Sequence, residues 1–352
     1  MKSKDMFEDM ARNLTDWLSG KGDESTVVIS SRVRLARNVA GCVFPGAAGT
    51  DTRKKIIEYF ESAVSRSDML SRGTIVRSSD LSPLDRDFLV ERHLMSPNFV
   101  AGDSSRALYI GEDERVSIMV NEEDHLRIQA LAPGRDSDAP YKVAGEFDNE
   151  IGSYLEFDYD SDFGFLTACP TNVGTGMRAS VLIHLPGLVI TKEIDRVITK
   201  ITKMGVAVRG FYGEGTDVLG NLFQVSNQNT LGVSEEDTMK LVMNVTDSII
   251  KEEVHARELM MDEALEQIED KIWRAYGILK FARVLTSEEV MNLLSALRLG
   301  VAMKIIDFVD IALINEILLL SQPAHLQKYY EEEMSSDRRD AVRAEMVREK
   351  LK

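Results

Sequence analysis

Two cysteines in 352 residues, Cys42 and Cys169, are too few for the disulfide framework of a secreted domain and fit a chain kept in a reducing cytoplasm. Cations are scarce as well. With 42 Lys and Arg against 58 Asp and Glu, the net charge of −16 excludes a general binder of nucleic acid or anionic membrane, since both need an excess of basic residues. Any phosphate site must therefore be local. Long apolar runs are missing too: Ile305 to Leu320 is the most apolar stretch, yet it carries Asp307, Asp310, Asn315 and Glu316 and falls short of the roughly 20 residues a spanning helix needs. It reads as a buried helix closed by Pro323. The first residues, Met1-Lys2-Ser3-Lys4-Asp5-Met6, lack the apolar core of an export signal, and the mature chain is expected to start there. Repeats and low-complexity tracts are absent. What remains, 44% hydrophobic and 28% charged residues, is an ordinary globular composition long enough for one large domain or two.

Short β-branched or alternating runs recur between Thr26 and about Ser226: Val27–Ile29, Ala107–Ile110, Val116–Val120, His125–Leu131, Val181–Leu185, Val206–Phe211 and Leu222–Val225. Helical periodicity appears between them, at Thr52–Val64 and Thr191–Met204, without the regular strand-helix alternation of a doubly wound parallel sheet. The pattern predicts an α+β fold with a mixed or antiparallel sheet. From Ser234 the texture changes. Ser234-Glu235-Glu236-Asp237 and Thr286-Ser287-Glu288-Glu289 read as capping starts of long helices, and a domain boundary is expected near residue 255.

Four segments carry chemistry. In Ser30-Ser31-Arg32-Val33-Arg34-Leu35-Ala36-Arg37, alternation puts Arg32 and Arg34 on one strand face, either as a focused anion site or as guarding charges on a solvated edge strand. In Asn121-Glu122-Glu123-Asp124-His125-Leu126-Arg127, three consecutive acids sit between two strands, either as an exposed turn or as a site for a cation. His125 has no second histidine at ligand spacing. The segment from Leu166 to Ser180 combines Cys169, hydroxyls, Gly174, Gly176 and Arg178, a set suited to a phosphate although it matches neither a Walker loop nor a dinucleotide fingerprint. Finally, Arg209 and Glu214 flank a glycine-containing turn, and both could reach one site. Asp162-Phe163-Gly164 spells a protein-kinase triplet without the other kinase motifs and is set aside. Cys42 reads as a buried structural thiol.

Together, and in this order, the four segments resemble the phosphagen kinase superfamily over residues 26 to about 255, and the bacterial protein-arginine kinases closely. The resemblance implies a catalytic domain at 26–255 with a mainly antiparallel sheet flanked by helices, a short segment 1–25 before it and a helical domain at 256–352 after it. It implies that Ser30, Ser31, Arg32, Arg34, Arg127, Arg178, Ala179, Ser180, Arg209, Gly210 and Gly213 bind ATP, while Glu123, Glu214 and Cys169 face the guanidinium. Mg²⁺ would be held mainly through the nucleotide phosphates, with no dedicated metal ligands on the chain. Arg339, Asp340, Arg343 and Ala344 match the motif with which these kinases bind phosphoarginine away from the active site; from pattern alone they read as a solvated helix end. Metabolic phosphagen kinases carry a helical domain ahead of the first strand, which segment 1–25 does not supply. The implied activity is therefore transfer of the ATP γ-phosphoryl group to arginine residues in proteins, in stress response and marking for degradation, in the cytoplasm. Kinase action on free arginine or another small guanidino compound, and a catalytically silent phosphoarginine-binding adaptor, are the alternatives. Implied partners are proteins with exposed arginines, a zinc-finger activator, a heat-shock transcriptional repressor, a Clp-type unfoldase and further copies of the chain.

Overall fold

The computed structural model describes residues 3–210 and 219–352. Its strands among these residues are β1 Val28–Arg37, β2 Thr74–Arg77, β3 Ala107–Ile110, β4 Val116–Val120, β5 Leu126–Pro133, β6 Tyr159–Asp160, β7 Gly164–Phe165, β8 Met177–His184, β9 Val206–Arg209 and β10 Leu222–Asn227. Eight of them form one sheet in the order β2-β3-β4-β5-β1-β8-β10-β9, with every neighbouring pair antiparallel, while β6 and β7 pair as a separate hairpin.

Alternation along the central strand β1 sends Val33 and Leu35 into the main core and Arg32 and Arg34 to the other face. The register extends that division across the sheet. Arg34 lies opposite Gln129 on β5 and Arg178 on β8, Ala36 opposite Arg127, and Gln224 on β10 opposite Arg209 on β9. Five arginines from four strands therefore share one face.

The helices are α1 Ser3–Arg12, α2 Thr50–Arg66, α3 Pro83–Glu91, α4 Pro97–Val100, α5 Asp138–Gly152, α6 Pro186–Ile190, α7 Ile194–Thr202, α8 Glu235–Glu263, α9 Leu265–Phe281, α10 Ser287–Ala302, α11 Ile311–Leu320, α12 Pro323–Tyr329 and α13 Ser336–Lys350. Apolar stripes of α2, α5, α7 and α8, including Phe60, Ala144, Ile201 and Val245, cover the core face of the sheet. The arginine face is covered only at its margins. Leu131, Leu182 and Leu222, in the same side-chain rows as the arginines, pack into a second core with the helices after α8, while Leu108, Ile110 and Met119 pack into a third with α1, α3 and α4. Between these two covers the polar part of the face stays open.

The α+β class, the antiparallel sheet and the helical C-terminal region agree with the sequence pattern, and the expected caps form. Ser234 Oγ accepts from Asp237 N at 3.0 Å and Thr286 Oγ1 from Glu289 N at 3.1 Å. Three local expectations change. β1 is a central strand running through Arg37, so the guarded-edge reading of Arg32 and Arg34 fails. The apolar stretch at 305 is helical only from Ile311, because Asp310 caps that helix by accepting from Leu313 N at 2.7 Å. Pro323 does not close it but opens α12, at a position where its missing N–H costs nothing. Residue 255 falls inside the continuous helix α8, along which the main core ends at Ala256 and the second begins at Met260. In segment 1–25, Phe7 and Met10 belong to the third core, Trp17 and Leu18 to the second.

Candidate active site

The open part of the arginine face is a cavity of about 570 Å³, lined by Arg32, Arg34, Arg127, Arg178 and Arg209 together with Glu123, Asp124 and Cys169. Such a concentration of like charge is held at an electrostatic cost. Burial, aided by Arg127 and Arg178, pushes Arg32 down to about 9, and burial with Arg32, Arg127 and Arg178 pushes Arg34 well below the usual guanidinium value. A guanidinium stays charged at neutral pH, so these shifts express a desolvation cost first and mutual repulsion second. Arg34 Nε is buried without a hydrogen-bond partner, a donor awaiting an anion. Arg178 donates from Nε and Nη2 to Ser226 Oγ at 3.2 and 3.0 Å, which fixes its side chain along the sheet.

The acidic segment forms the β4–β5 turn, entered through Asn121 in the left-handed region at φ +62°. Its three acids have three different environments. Glu122 is buried and pairs with Arg127 while accepting from Ser96 Oγ; burial pushes its carboxyl up, but Arg127 prevails and holds it below the ordinary range. Asp124, also buried, accepts from Asn38 Nδ2 at 2.7 Å and from Ala168 N at 2.6 Å, so it ties the turn to the Cys169 loop. Glu123 alone is exposed to the cavity, where partial burial and Asp124 raise its carboxyl above the ordinary range. His125 is structural: its Nδ1 accepts from Val39 N at 3.0 Å and its Nε2 faces Val43 O at 3.1 Å. Among the described residues no group of three or more His, Cys, Asp or Glu is placed to hold a metal.

Cys169 precedes a single 3-10 turn, Pro170–Asn172, and its Sγ lies 3.0 Å from Thr171 Oγ1. Asn172 Nδ2 reaches Glu123 Oε2 at 3.4 Å, so thiol loop and acidic turn meet at the cavity. Gly174 is required: at φ +113°, a Cβ would lie 2.2 Å from Thr230 O.

Some expected residues lie elsewhere. Ser30, Ser31, Ala179 and Ser180 do not line the cavity. Ser31 Oγ is committed to Gly134 O at 2.9 Å and to Asp136 N at 3.2 Å, and the Ala179 side chain has core-face parity. Gly210 follows Arg209 at the end of β9, whereas Gly213 and Glu214 lie outside the described residues. Asp162-Phe163-Gly164 forms the exposed tip of the β6–β7 hairpin. Cys42 packs, half-buried, against the main core.

Sequence reading overlooked the wall formed by Val90, His93, Met95, Ser96 and Pro97, which the period-2 pattern of strands does not reveal. Gln129, in the row of Arg127, donates to His93 O at 2.5 Å and joins this wall to the sheet. At the other end of the chain, Arg339 and Arg343 occupy α13 one turn apart. Arg343 is sealed, donating to Ser321 O at 2.7 Å, Leu285 O at 2.8 Å and Asp340 Oδ1 at 2.5 Å, and Ala344 is in the second core. Arg339 and Asp340 keep partial exposure.

A family model described as ATP:guanido phosphotransferase, C-terminal catalytic domain, matches residues 55–256, and one described as Protein-arginine kinase McsB C-terminal domain matches residues 265–352. A protein-arginine kinase of Desulforamulus reducens is 43% identical over 347 residues, covering 98% of this chain and 97% of its own. One of Moorella thermoacetica is 44% identical over 350 residues, covering 98% and 99%. Among solved structures, the duplicated taurocyamine kinase from Schistosoma mansoni with bound transition state analog components matches 68% of this chain with TM-score 0.60 and 28% identity; this chain spans 34% of that duplicated protein. Lombricine kinase, at TM-score 0.59 and 23% identity over 71% of this chain and 77% of its own, shares the fold.

Proposed function

Since this chain belongs to the protein-arginine kinases of the ATP:guanido phosphotransferase family, enzymes that phosphorylate arginine side chains of proteins, we propose that its open arginine face holds the ATP phosphates while Glu123 and Cys169 face the acceptor guanidinium. The observation that carries this assignment is the shared cavity, in which five guanidiniums stand against one exposed carboxylate and one thiol. The first family match begins after β1, so the roles of Arg32 and Arg34 rest on the cavity geometry.

Phosphoryl transfer passes through a loose, metaphosphate-like state whose charge spreads over the equatorial oxygens, so catalysis is mostly charge neutralisation and alignment. Arg32, Arg34, Arg127, Arg178 and Arg209 supply fixed positive charge, and the unpartnered Arg34 Nε gains its acceptor when phosphate arrives. A cavity rich in guanidiniums fits a metal that enters with the nucleotide; Mg²⁺ bound to the phosphates would offset part of their charge. For the acceptor, a guanidinium is a far weaker acid than a carboxylic acid, so a carboxylate cannot strip its proton completely before attack. Glu123 instead holds the planar group by charge-assisted hydrogen bonds, aligns the attacking nitrogen and accepts its proton as the N–P bond forms and the bond from the γ-phosphorus to the bridging oxygen breaks, releasing ADP. Its environment suits the task, because burial and Asp124 raise its proton affinity. We assign Glu214 the partner role on the family pattern, and Cys169 the third contact to the guanidinium.

The proposal extends to a division near residue 255 into catalytic and C-terminal domains, and to cytoplasmic action in stress response through marking proteins for degradation. The zinc-finger activator, heat-shock repressor, Clp-type unfoldase and self-association belong to the same family-based extension. Incubation with ATP and an arginine-rich protein tests the activity: an acid-labile protein-bound phosphate is expected, and its absence would leave the free-arginine kinase and adaptor readings, which the same assay with free arginine separates.

In the C-terminal motif, sealed Arg343 and Ala344 serve as scaffold, so phosphoarginine recognition falls to Arg339 for the phosphate and Asp340 for the guanidinium. Arg339→Ala is expected to weaken phosphoarginine binding about tenfold, the value of one charge-assisted contact, while ATP affinity holds. Asp340→Ala should also lower the thermal midpoint, because it strips buried Arg343 of its carboxylate. Unchanged calorimetric affinity for phosphoarginine in both variants would refute the assignment.

A further inference from the structure

We infer that Arg37 is a positioning residue for the loop between Cys169 and Arg178, an inference that rests on the assignment of that loop to the acceptor site. Arg32 and Arg34 leave β1 on the cavity face. Arg37 has the opposite parity, in the row of Val33 and Leu35, and it does not line the cavity. It is nonetheless a charged group only 1% exposed, at a place where alternation calls for an apolar side chain.

Its contacts account for the exception. Nε and Nη2 donate to Asp148 Oδ2 of α5 at 3.1 and 2.8 Å, and Glu235 Oε1 at the start of α8 lies 4.0 Å away. The remaining contacts belong to the loop or to strands that brace it. Nη1 donates to Ala36 O at 2.9 Å and to Thr175 O at 3.0 Å, while the guanidinium lies 3.5 Å from the centre of the Phe165 ring. Phe165 exchanges backbone hydrogen bonds with Gly174 at 2.8 and 3.3 Å, and Ala36 N donates to Gly176 O at 2.9 Å. Gly176 has φ +62°, and a Cβ on it would come within 2.7 Å of both Ala36 O and Arg37 Nη1. The return arm of the loop is therefore moulded onto this guanidinium.

One planar fork thus ties α5, the end of β1, the hairpin and residues 174–176 together. Arg178 lies two residues beyond this clamp, and Cys169 on the arm before it. A lysine keeps the charge but has no planar, multidentate head, so it cannot satisfy Asp148, both carbonyls and the ring together. Misplacing an aligned group by about 1 Å can cost about 10²-fold in rate.

The test compares wild type, Arg37→Lys, Phe165→Leu and Asp148→Asn. The readouts are kcat, KM for ATP, thermal midpoint and the iodoacetamide alkylation rate of Cys169, followed by peptide mass spectrometry to separate it from Cys42. Asp148→Asn keeps an acceptor oxygen for Arg37 and removes only the ion pair. Expected are an about 10²-fold lower kcat for Arg37→Lys, an about tenfold lower kcat for Phe165→Leu, and an alkylation rate altered severalfold in both. KM for ATP should stay within about threefold, and Asp148→Asn should keep its kcat within about threefold even where its thermal midpoint drops. If Arg37→Lys fails to fold, the kcat and alkylation rate of Phe165→Leu decide. The inference is overturned if kcat and alkylation match wild type, or if Asp148→Asn loses kcat in proportion to the same loss of thermal midpoint. A wild type without transfer activity would overturn the assignment of the site instead, and Cys169 alkylation would then decide the role of Arg37.

Discussion

Glu123→Gln is expected to lower kcat by about 10³-fold while ATP binds as it does to the wild type. The substitution preserves shape and an acceptor oxygen but removes the negative charge that orients a guanidinium and the basicity that takes its proton. ATP affinity should hold, because the nucleotide is assigned to the five arginines and Glu123, unlike Glu122, does not pair with one of them. Glu122→Gln should differ, since Glu122 pins Arg127 and its loss frees a phosphate-binding side chain. The pH profile gives a second check. Glu123 acts as carboxylate and its proton affinity is raised, so kcat should fall on acidification at a pH above the ordinary glutamate value, and Glu123→Gln should lack that limb. Loss of ATP affinity in step with kcat, measured by calorimetric titration, would contradict the assignment.

Arg34→Met is expected to give a protein that is more stable without ligand and binds ATP more weakly. Arg34 is half-buried in the cavity wall, where desolvation and the neighbouring Arg32, Arg127 and Arg178 raise its cost and Glu122 is the opposing charge. Replacing such a desolvated, crowded charge by an apolar side chain of similar volume is expected to be neutral to stabilising, by about 1 kcal/mol, which corresponds to a thermal midpoint a few degrees higher. Transition-state stabilisation is lost at the same time, so kcat/KM should fall about 10²- to 10³-fold, the scale for removing one preorganised donor. The same ATP concentration should raise the midpoint of the wild type more than that of the variant. A destabilised variant that binds ATP as tightly as the wild type would mean that the stored cost is not there.

The parity of one strand made most of the site legible. Arg32 and Arg34 sit two residues apart, and the same alternation read on β5 and β8 brings Arg127 and Arg178 beside them once the antiparallel register is known. The sequence contains the alternation, but register is a property of pairing between distant segments, so the meeting of these arginines was implied by resemblance and not by spacing. The three acids show the opposite limit. Their adjacency marked the turn, yet which one faces the cavity depends on Ser96, Arg127, Asn38 and Ala168, all brought in from other elements. The wall at 90–98 escaped because it is made of the end of α3, the start of the four-residue α4 and the loop between them, pieces too short to show a period, and Arg37 because an arginine at a core-face position reads as one more basic residue in an arginine-rich run.

Competition between free arginine and arginine within a protein tests the central claim most directly. Both acceptors are offered with ATP to the same enzyme, and phosphoarginine is measured by phosphorus resonance and by peptide mass spectrometry. The account predicts that kcat/KM for the protein-borne side chain exceeds that for the free amino acid by about 10²-fold or more, through binding interactions that the truncated substrate lacks. Equal or faster phosphorylation of free arginine would contradict it.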